Sequence, residues 1–325
     1  MQGKEASEQE TRKCTAGIDV SKDWLDAHML PASLSLRVAN TSEGIRQLKR
    51  WLLKYKADLI AVEATGKWHR ELCRSLRASD MAVAVIDPYR VRNFAKADRI
   101  LAKTDRLDAK VLAMFAATMN PACRAPTPQV IEAMQELVTA RASAVDEQTS
   151  LRNQLGSAQT SFLKRHLTRR IIQLKAHIKA LELECLRQIR TDEALASRHA
   201  ILTSIPGFGP VVATTLIAFL NEPGSLNNKE ISALAGLAPI ADDSGQREGV
   251  RVIWAGRGIV RRMLYLAALS ASRHNQNMKA FHQHLCAKGK PPKVCLIAVA
   301  RKLAVLANTL ITQNRSWQPI APQNA

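Results

Sequence analysis

Aromatic residues are scarce in this chain, at 4% for Phe, Trp and Tyr together, so platforms for stacking nucleobases are expected to be few. Paired cysteine motifs are missing as well. Cys14, Cys73, Cys123, Cys185, Cys286 and Cys295 form no C-x-x-C, and the nearest Cys and His residues lack zinc-ligand spacing. His282 and His284 are two apart and on a helix would not share a face. Several of the cysteines sit inside apolar runs, which suits reduced thiols in a cytosolic protein. No stretch of about 18 uncharged apolar residues exists. The best candidate, Val294 to Ile311, is interrupted by Arg301 and Lys302, which argues against a membrane span. No internal repeat or low-complexity segment is present. Acidic residues are in deficit, at 28 Asp and Glu against 47 Lys and Arg, for a formal charge of +19. An excess of that size favours a polyanionic partner, because each neutralised phosphate releases condensed counterions. A basic protein without a nucleic-acid role, or one seated on anionic lipid, has the same balance.

What is present divides the chain. Residues 1–13 are polar and mixed in charge and read as a disordered lead rather than a signal peptide. From 14 to 126 the pattern alternates. Cys14–Asp19 and Trp24–Leu30 read as strands joined at Val20 to Asp23, Gly44–Lys54 as a helix, Asp58–Val62 as a buried strand, Arg70–Ala78 as a helix and Ala82–Ile86 as a strand. That order predicts a mixed α/β sheet layered with helices. From 127 to 198 the pattern is long helix. Leu167, Ile171, Leu174, Ile178, Leu181 and Cys185 step by four and three, the seam of a coiled coil that joins subunits or of a helical hairpin packed within one chain. From 199 to 318 the chain is mostly helical, and 319–325 form a tail. Ser204-Ile205-Pro206-Gly207-Phe208-Gly209-Pro210 precedes an apolar helix, Val211 to Leu220. Gly207 and Gly209 there suit a helix-hairpin-helix turn that holds a phosphate on backbone N–H groups, or an ordinary helix–helix turn.

Four acids carry the candidate chemistry. Asp19 ends one apolar strand and Glu63 follows another, so their side chains can converge at neighbouring strand ends. Asp105 and Asp108 are three apart behind Thr104, a helix N-cap candidate, and would project together from a first turn. Such carboxylates suit magnesium, a hard cation that takes oxygen ligands and assists phosphoryl transfer. Taken singly, Asp105 also complements a helix dipole and Asp108 also suits a surface position.

At these residues the chain resembles a known family. Gly17-Ile18-Asp19-Val20-Ser21-Lys22, Val62-Glu63-Ala64-Thr65-Gly66 and Ala102-Lys103-Thr104-Asp105-Arg106-Leu107-Asp108-Ala109 are similar to the DEDD motifs of the insertion-sequence transposases of family one-ten, especially its eleven-eleven subgroup of bridge-RNA-guided recombinases. The likeness continues through Ser204–Gly209, Ala235-Gly236-Leu237-Ala238-Pro239, Asp243-Ser244-Gly245, Ile253–Arg257, Leu264-Tyr265 and Gly289-Lys290-Pro291. It implies a RuvC-like RNase H fold, then a coiled-coil insertion, then a helical transposase domain. It implies magnesium on Asp19, Glu63, Asp105 and Asp108, and Ser244 as a nucleophile that forms a covalent phosphoserine with DNA. The implied partners are the DNA of element ends and target, a structured noncoding guide RNA, and further copies of the chain in a dimer or tetramer, with no membrane. The implied setting is the bacterial cytoplasm, at the nucleoid. Arg251, Arg257, Arg261, Arg262, Lys288, Lys290 and Lys293 are candidate phosphate contacts, though each alone also suits a solvated surface. Three positions depart from the family pattern: Ala255-Gly256-Arg257 for Gly-Gly-Arg, Asn275-Gln276 for Asn-Pro, and Asp87-Pro88 for Asn-Pro. The same acids would also serve a plain metal-dependent nuclease, a junction resolvase for example, with Ser244 structural. A non-catalytic nucleic-acid-binding protein is the third reading, and would need neither magnesium nor Asp105.

Overall fold

A computed structural model describes residues 13–64, 66–99, 105–220, 222, 224–241, 243–244, 249 and 251–319, and of Asp105 and Arg106 it describes the backbone alone. Thr104 as a helix cap, most of the 1–13 lead, Thr65, Gly245 and the last six tail residues therefore lie outside the described residues. The chain separates into two compact units, Met1–Pro126 and Thr127–Ala325.

The first unit is built on a five-stranded sheet of β1 (Thr15–Val20), β2 (Trp24–Leu30), β3 (Leu34–Ala39), β4 (Leu59–Glu63) and β5 (Val83–Ile86), in the order β3-β2-β1-β4-β5. β1, β2 and β3 pair antiparallel, and β4 and β5 run parallel to β1. This is the mixed order of the RNase H fold, which the resemblance implied. β3 was not foreseen: its residues Leu34, Leu36 and Val38 alternate with exposed polar ones, and an edge strand needs little apolar content.

Alternation along β1 sorts its side chains to two faces. Ala16, Ile18 and Val20 join Ile60 and Val62 of β4 in a core closed by α1 (Ser42–Lys54) and α2 (His69–Arg77). On the opposite face Ala61, Ala84 and Ile86 pack with Val111, Leu112 and Phe115 of α4 (Asp105–Met119) and with Val91 of α3 (Pro88–Ala97). Thr41 caps α1 through the N–H of Gly44, and Asp87 caps α3 by accepting from Tyr89 N at 2.7 Å. An Asp at 87 thus performs the capping that an Asn performs, with Pro88 at the first helical position.

The second unit is helical. It opens with a hairpin of α5 (Gln129–Ser157) and α6 (Ser161–Arg190), followed by α7 (Glu193–Thr203), α8 (Pro210–Phe219), α9 (Asn228–Leu234), α10 (Gly258–His274), α11 (Gln276–Ala287) and α12 (Pro292–Thr312). Leu167 and Ile171 of the heptad seam are buried against Leu151 and Ala158 of the same hairpin, and Cys185 joins Ile131, Met134 and Val138 in the main core. Leu167, Ile171 and Cys185 of the seam are thus buried within the chain, across a turn of three residues, 158–160, while Leu174, Ile178 and Leu181 are half-buried. α12 is the one described helix long and apolar enough to cross a membrane, and its Cys295, Val299, Leu303 and Leu310 are buried.

Candidate functional site

Gly17 decides how α4 meets the sheet. A Cβ on Gly17 would lie 2.2 Å from the carbonyl oxygen of Ala109 and 2.2 Å from the amide nitrogen of Ala113, so only glycine lets the helix backbone close on β1. Further down the strand, Thr15 Oγ1 donates to the Ala113 carbonyl at 3.1 Å. α4 therefore runs antiparallel to β1, and its first turn, with Asp105 and Asp108, starts at the end of the sheet where Asp19 stands.

Strand register brings the other acid there. Ile18 pairs with Val62, so Asp19 and Glu63 are neighbours one step further along both strands, roughly 5 Å apart at the backbone. Gly17 and Ala61 face α4, and two residues on, so do Asp19 and Glu63. Asp19, Glu63 and Asp108 are each half-buried. Two strands and one helix thus deliver the DEDD positions to one edge of the unit. The donors are hard carboxylate oxygens, which fits a hard divalent cation. As placed, no three of the described His, Cys, Asp and Glu side chains gather around one point, and the Asp105 side chain lies outside the described residues.

The same cross-strand row holds residues the sequence reading passed over. Asp19 pairs with Asp26 of β2, and Asp26 with Arg37 of β3. The Asp26 side chain is only 7% exposed, and its Oδ2 lies 3.7 Å from Arg37 Nε. One row across the sheet therefore reads Arg37, Asp26, Asp19, Glu63. The available signal was the polar Asp26 and His28 at alternate positions of the apolar run WLDAHML.

In the second unit, Ser244 is exposed in a loop whose base is closed by the Ile240–Val252 bridge. Asp243 braces that loop: its carboxylate accepts from Gly249 N at 3.0 Å and lies 3.4 Å from Arg251 NH2. Arg251 is thus tied to the serine loop. Gly207, at φ +107°, packs against Ala271 of α10, where a Cβ would come within 2.7 Å of the Ala271 Cβ. Gly209 caps α8 without a side chain and is exposed, which leaves first-turn N–H groups of α8 uncapped by any side chain.

The remaining basic candidates separate by partner. Arg257 forms a fork to both Glu222 carboxylate oxygens at 2.6 Å and donates to the Phe219 carbonyl at 2.7 Å. Gly256, at φ +77°, aims it there, with its Cα side against Gly236, so the Ala255-for-Gly departure leaves the required glycine in place. Arg261 donates to the Ala255 carbonyl at 2.8 Å, and Arg262 pairs with Asp146 at 2.7 Å. Among the described residues no salt bridge engages Lys288, Lys290 or Lys293, all exposed around the α11–α12 turn. Asn275, 1% exposed, caps α11 through Met278 N, so Gln276 in place of Pro keeps the cap.

Comparison with known proteins agrees with the motifs. A DEDD transposase family model, DEDD_Tnp_IS110, matches residues 16–179, and the transposase model of the IS116/IS110/IS902 family matches residues 199–283. The pilin gene-inverting proteins of Moraxella bovis and Moraxella lacunata are each 25% identical over 316 residues, covering 94% of this chain and 98% of the relative. A solved T. thermophilus RuvC in complex with a Holliday junction substrate is 15% identical, with a TM-score of 0.27, covering 34% of this chain and 98% of that one. The fold assignment rests on the strand order rather than on that last likeness. The chain belongs to the IS110 family of DEDD transposases, enzymes that rearrange DNA.

Proposed function

We propose that this transposase cuts and rejoins the DNA of an insertion sequence through a site made of two parts, the edge carrying Asp19, Glu63, Asp105 and Asp108, and the loop carrying Ser244. The observation that carries the reading is the register of β1 and β4, with Gly17 admitting α4, which directs the DEDD positions to one edge. Asp19, Glu63, Asp105 and Asp108 hold Mg2+. When bound, the ion supplies positive charge to the non-bridging phosphate oxygens as negative charge builds on them.

Ser244 Oγ attacks phosphorus. The Ser244 O–H proton is released, a P–Oγ bond forms, and the P–O bond to the leaving sugar breaks, that oxygen taking up a proton. A sugar hydroxyl of the other strand then attacks the phosphoserine, breaks the P–Oγ bond and restores the serine hydroxyl. One phosphodiester is exchanged for another, so no external energy source is needed. The exposure of Ser244 and the bracing of its loop by Asp243 support a side chain presented outward at a fixed place. The pilin gene-inverting relatives carry inversion in their name, which supports breakage and rejoining rather than cleavage alone.

The guide RNA, the dimer or tetramer in which Ser244 meets another protomer's acids, and action in the bacterial cytoplasm at the nucleoid rest on family membership. The +19 formal charge serves DNA and RNA alike. Gly207 and Gly209 at the α8 turn, Arg251 and the exposed Lys288, Lys290 and Lys293 are the phosphate contacts of this reading. Arg251, Arg257, Arg261 and Arg262 each hold an internal partner, Asp243, Glu222, the Ala255 carbonyl and Asp146 in turn, which a phosphate would share or displace.

A plasmid recombination assay with paired element ends and guide RNA tests it. Wild type yields rejoined product in Mg2+ and none in chelator. Ser244→Ala and Asp105→Ala each abolish product. Cleavage retained in Ser244→Ala would establish a plain nuclease and overturn the serine assignment.

A further inference from the structure

We propose that Arg37 is a phosphate contact of the N-terminal site, held there by Asp26 and Trp24. The proposal rests on the reading of Asp19 and Glu63 as the edge that handles DNA phosphate, and adds to it a cation that the motifs do not name.

The cross-strand row places Arg37, Asp26, Asp19 and Glu63 on four adjacent strands, all on the α4 face. Three carboxylates in successive places repel one another. The Asp26 side chain, 7% exposed, has little water to support its charge and needs a cation close by. Arg37 meets that need from the far side of the row, its Nε 3.7 Å from Asp26 Oδ2. Its guanidinium carbon also sits 5.0 Å from the centre of the Trp24 ring, which fixes the plane of the fork.

Exposure separates the two partners. Asp26 is covered, while Arg37 keeps 43% of its side chain, and Trp24 45% of its surface, open to solvent. A cation half open to water beside a buried carboxylate keeps much of its hydration and can take up a second anion. Arg37 stands at the sheet end where β1 delivers Asp19, two strand spacings away and within arginine's reach of a phosphate beside that acid. The planar fork matches phosphate oxygens in a way a lysine ammonium does not. Holding it by ring and carboxylate lowers the ordering cost on binding.

The test uses the full chain and a fluorescein-labelled DNA duplex of arbitrary sequence, titrated at several salt concentrations with calcium in place of magnesium. Arg37→Ala is expected to weaken binding about tenfold and to lower the slope of log affinity against log salt by about one. Arg37→Lys recovers part of the affinity. The decisive variant is Asp26→Asn with Arg37→Ala, which removes the buried charge together with its partner and so keeps the unit folded. It is expected to bind no better than Arg37→Ala. Wild-type affinity in that double variant would show that Arg37 only neutralises Asp26, and an unchanged salt slope in Arg37→Ala would overturn the proposal equally. Asp19→Asn in the recombination assay separates this from the reading beneath it. If Asp19→Asn loses recombination while Arg37→Ala binds normally, Arg37 alone is dismissed; if Asp19→Asn recombines normally, the edge itself is not the site.

Discussion

Arg257 shows how a basic side chain can serve the fold rather than DNA. Its fork grips Glu222, and its N–H group satisfies the Phe219 carbonyl at the end of α8, where helix carbonyls lack partners. Both side chains are about 30% exposed, so the pair is worth less than a fully buried one. Arg257→Ala should cost about 2 kcal/mol in urea unfolding, and Arg257→Lys should regain less than half, because an ammonium cannot make the fork. His28 gives a second residue-scale test. Burial, and then the charge of Lys110, hold its pKa below the ordinary histidine value. His199 in the second unit is lowered too, by burial first and with the charge of Arg190 adding to it, while a hydrogen bond to the Pro210 backbone opposes. Each ring takes up its proton at lower pH in the native state than in the unfolded chain, which protonates near about pH 6.5, so their contribution is complete above that pH and is lost as pH falls below it. The melting temperature should drop between pH 7.5 and 5.5, and the His28→Gln, His199→Gln double variant should show a shallower drop.

At the scale of elements, Gly17 links motif to geometry. In Gly17-Ile18-Asp19 the glycine brings α4 close and the aspartate stands where α4 begins, so one tripeptide sets both the packing and the site. Gly17→Val would drive a side chain into the backbone of Ala109 and Ala113. It should abolish recombination and destabilise the first unit by about 3 kcal/mol in chemical unfolding, as overpacking does. Most strands and helices of this unit were legible, because their apolar runs are short and regularly broken. β3 was not, since an edge strand with polar alternation resembles a loop. The hairpin turn was also hidden. The cap at Thr160, which accepts from Leu163 N, lies among residues that propensity alone would leave helical. The seam itself was legible but its partner was not: heptad spacing specifies an apolar stripe and does not say which helix fills it.

At the scale of the molecule, the four acids proposed for the site could be picked out in sequence because they end strands or start a helix, and strand register brings Asp19 and Glu63 to one edge. Asp26 and Arg37 could not, because their meaning depends on register across three strands. A site divided between an acid edge and a serine loop predicts rescue between protomers. Asp19→Asn and Ser244→Ala chains, each inactive alone, should recombine DNA when mixed in equal amounts, at up to about a quarter of wild-type yield if protomers assort at random into shared sites, since each intact half is present with a chance of about one half. No product from the mixture would confine each site to one chain.

The most direct measurement of the central claim is denaturing gel electrophoresis of the protein after incubation with a labelled element end, guide RNA and Mg2+. A labelled band at the mass of the protein, sensitive to protease and absent for Ser244→Ala and Asp105→Ala, is the predicted result. A labelled adduct that persists in Ser244→Ala would contradict it.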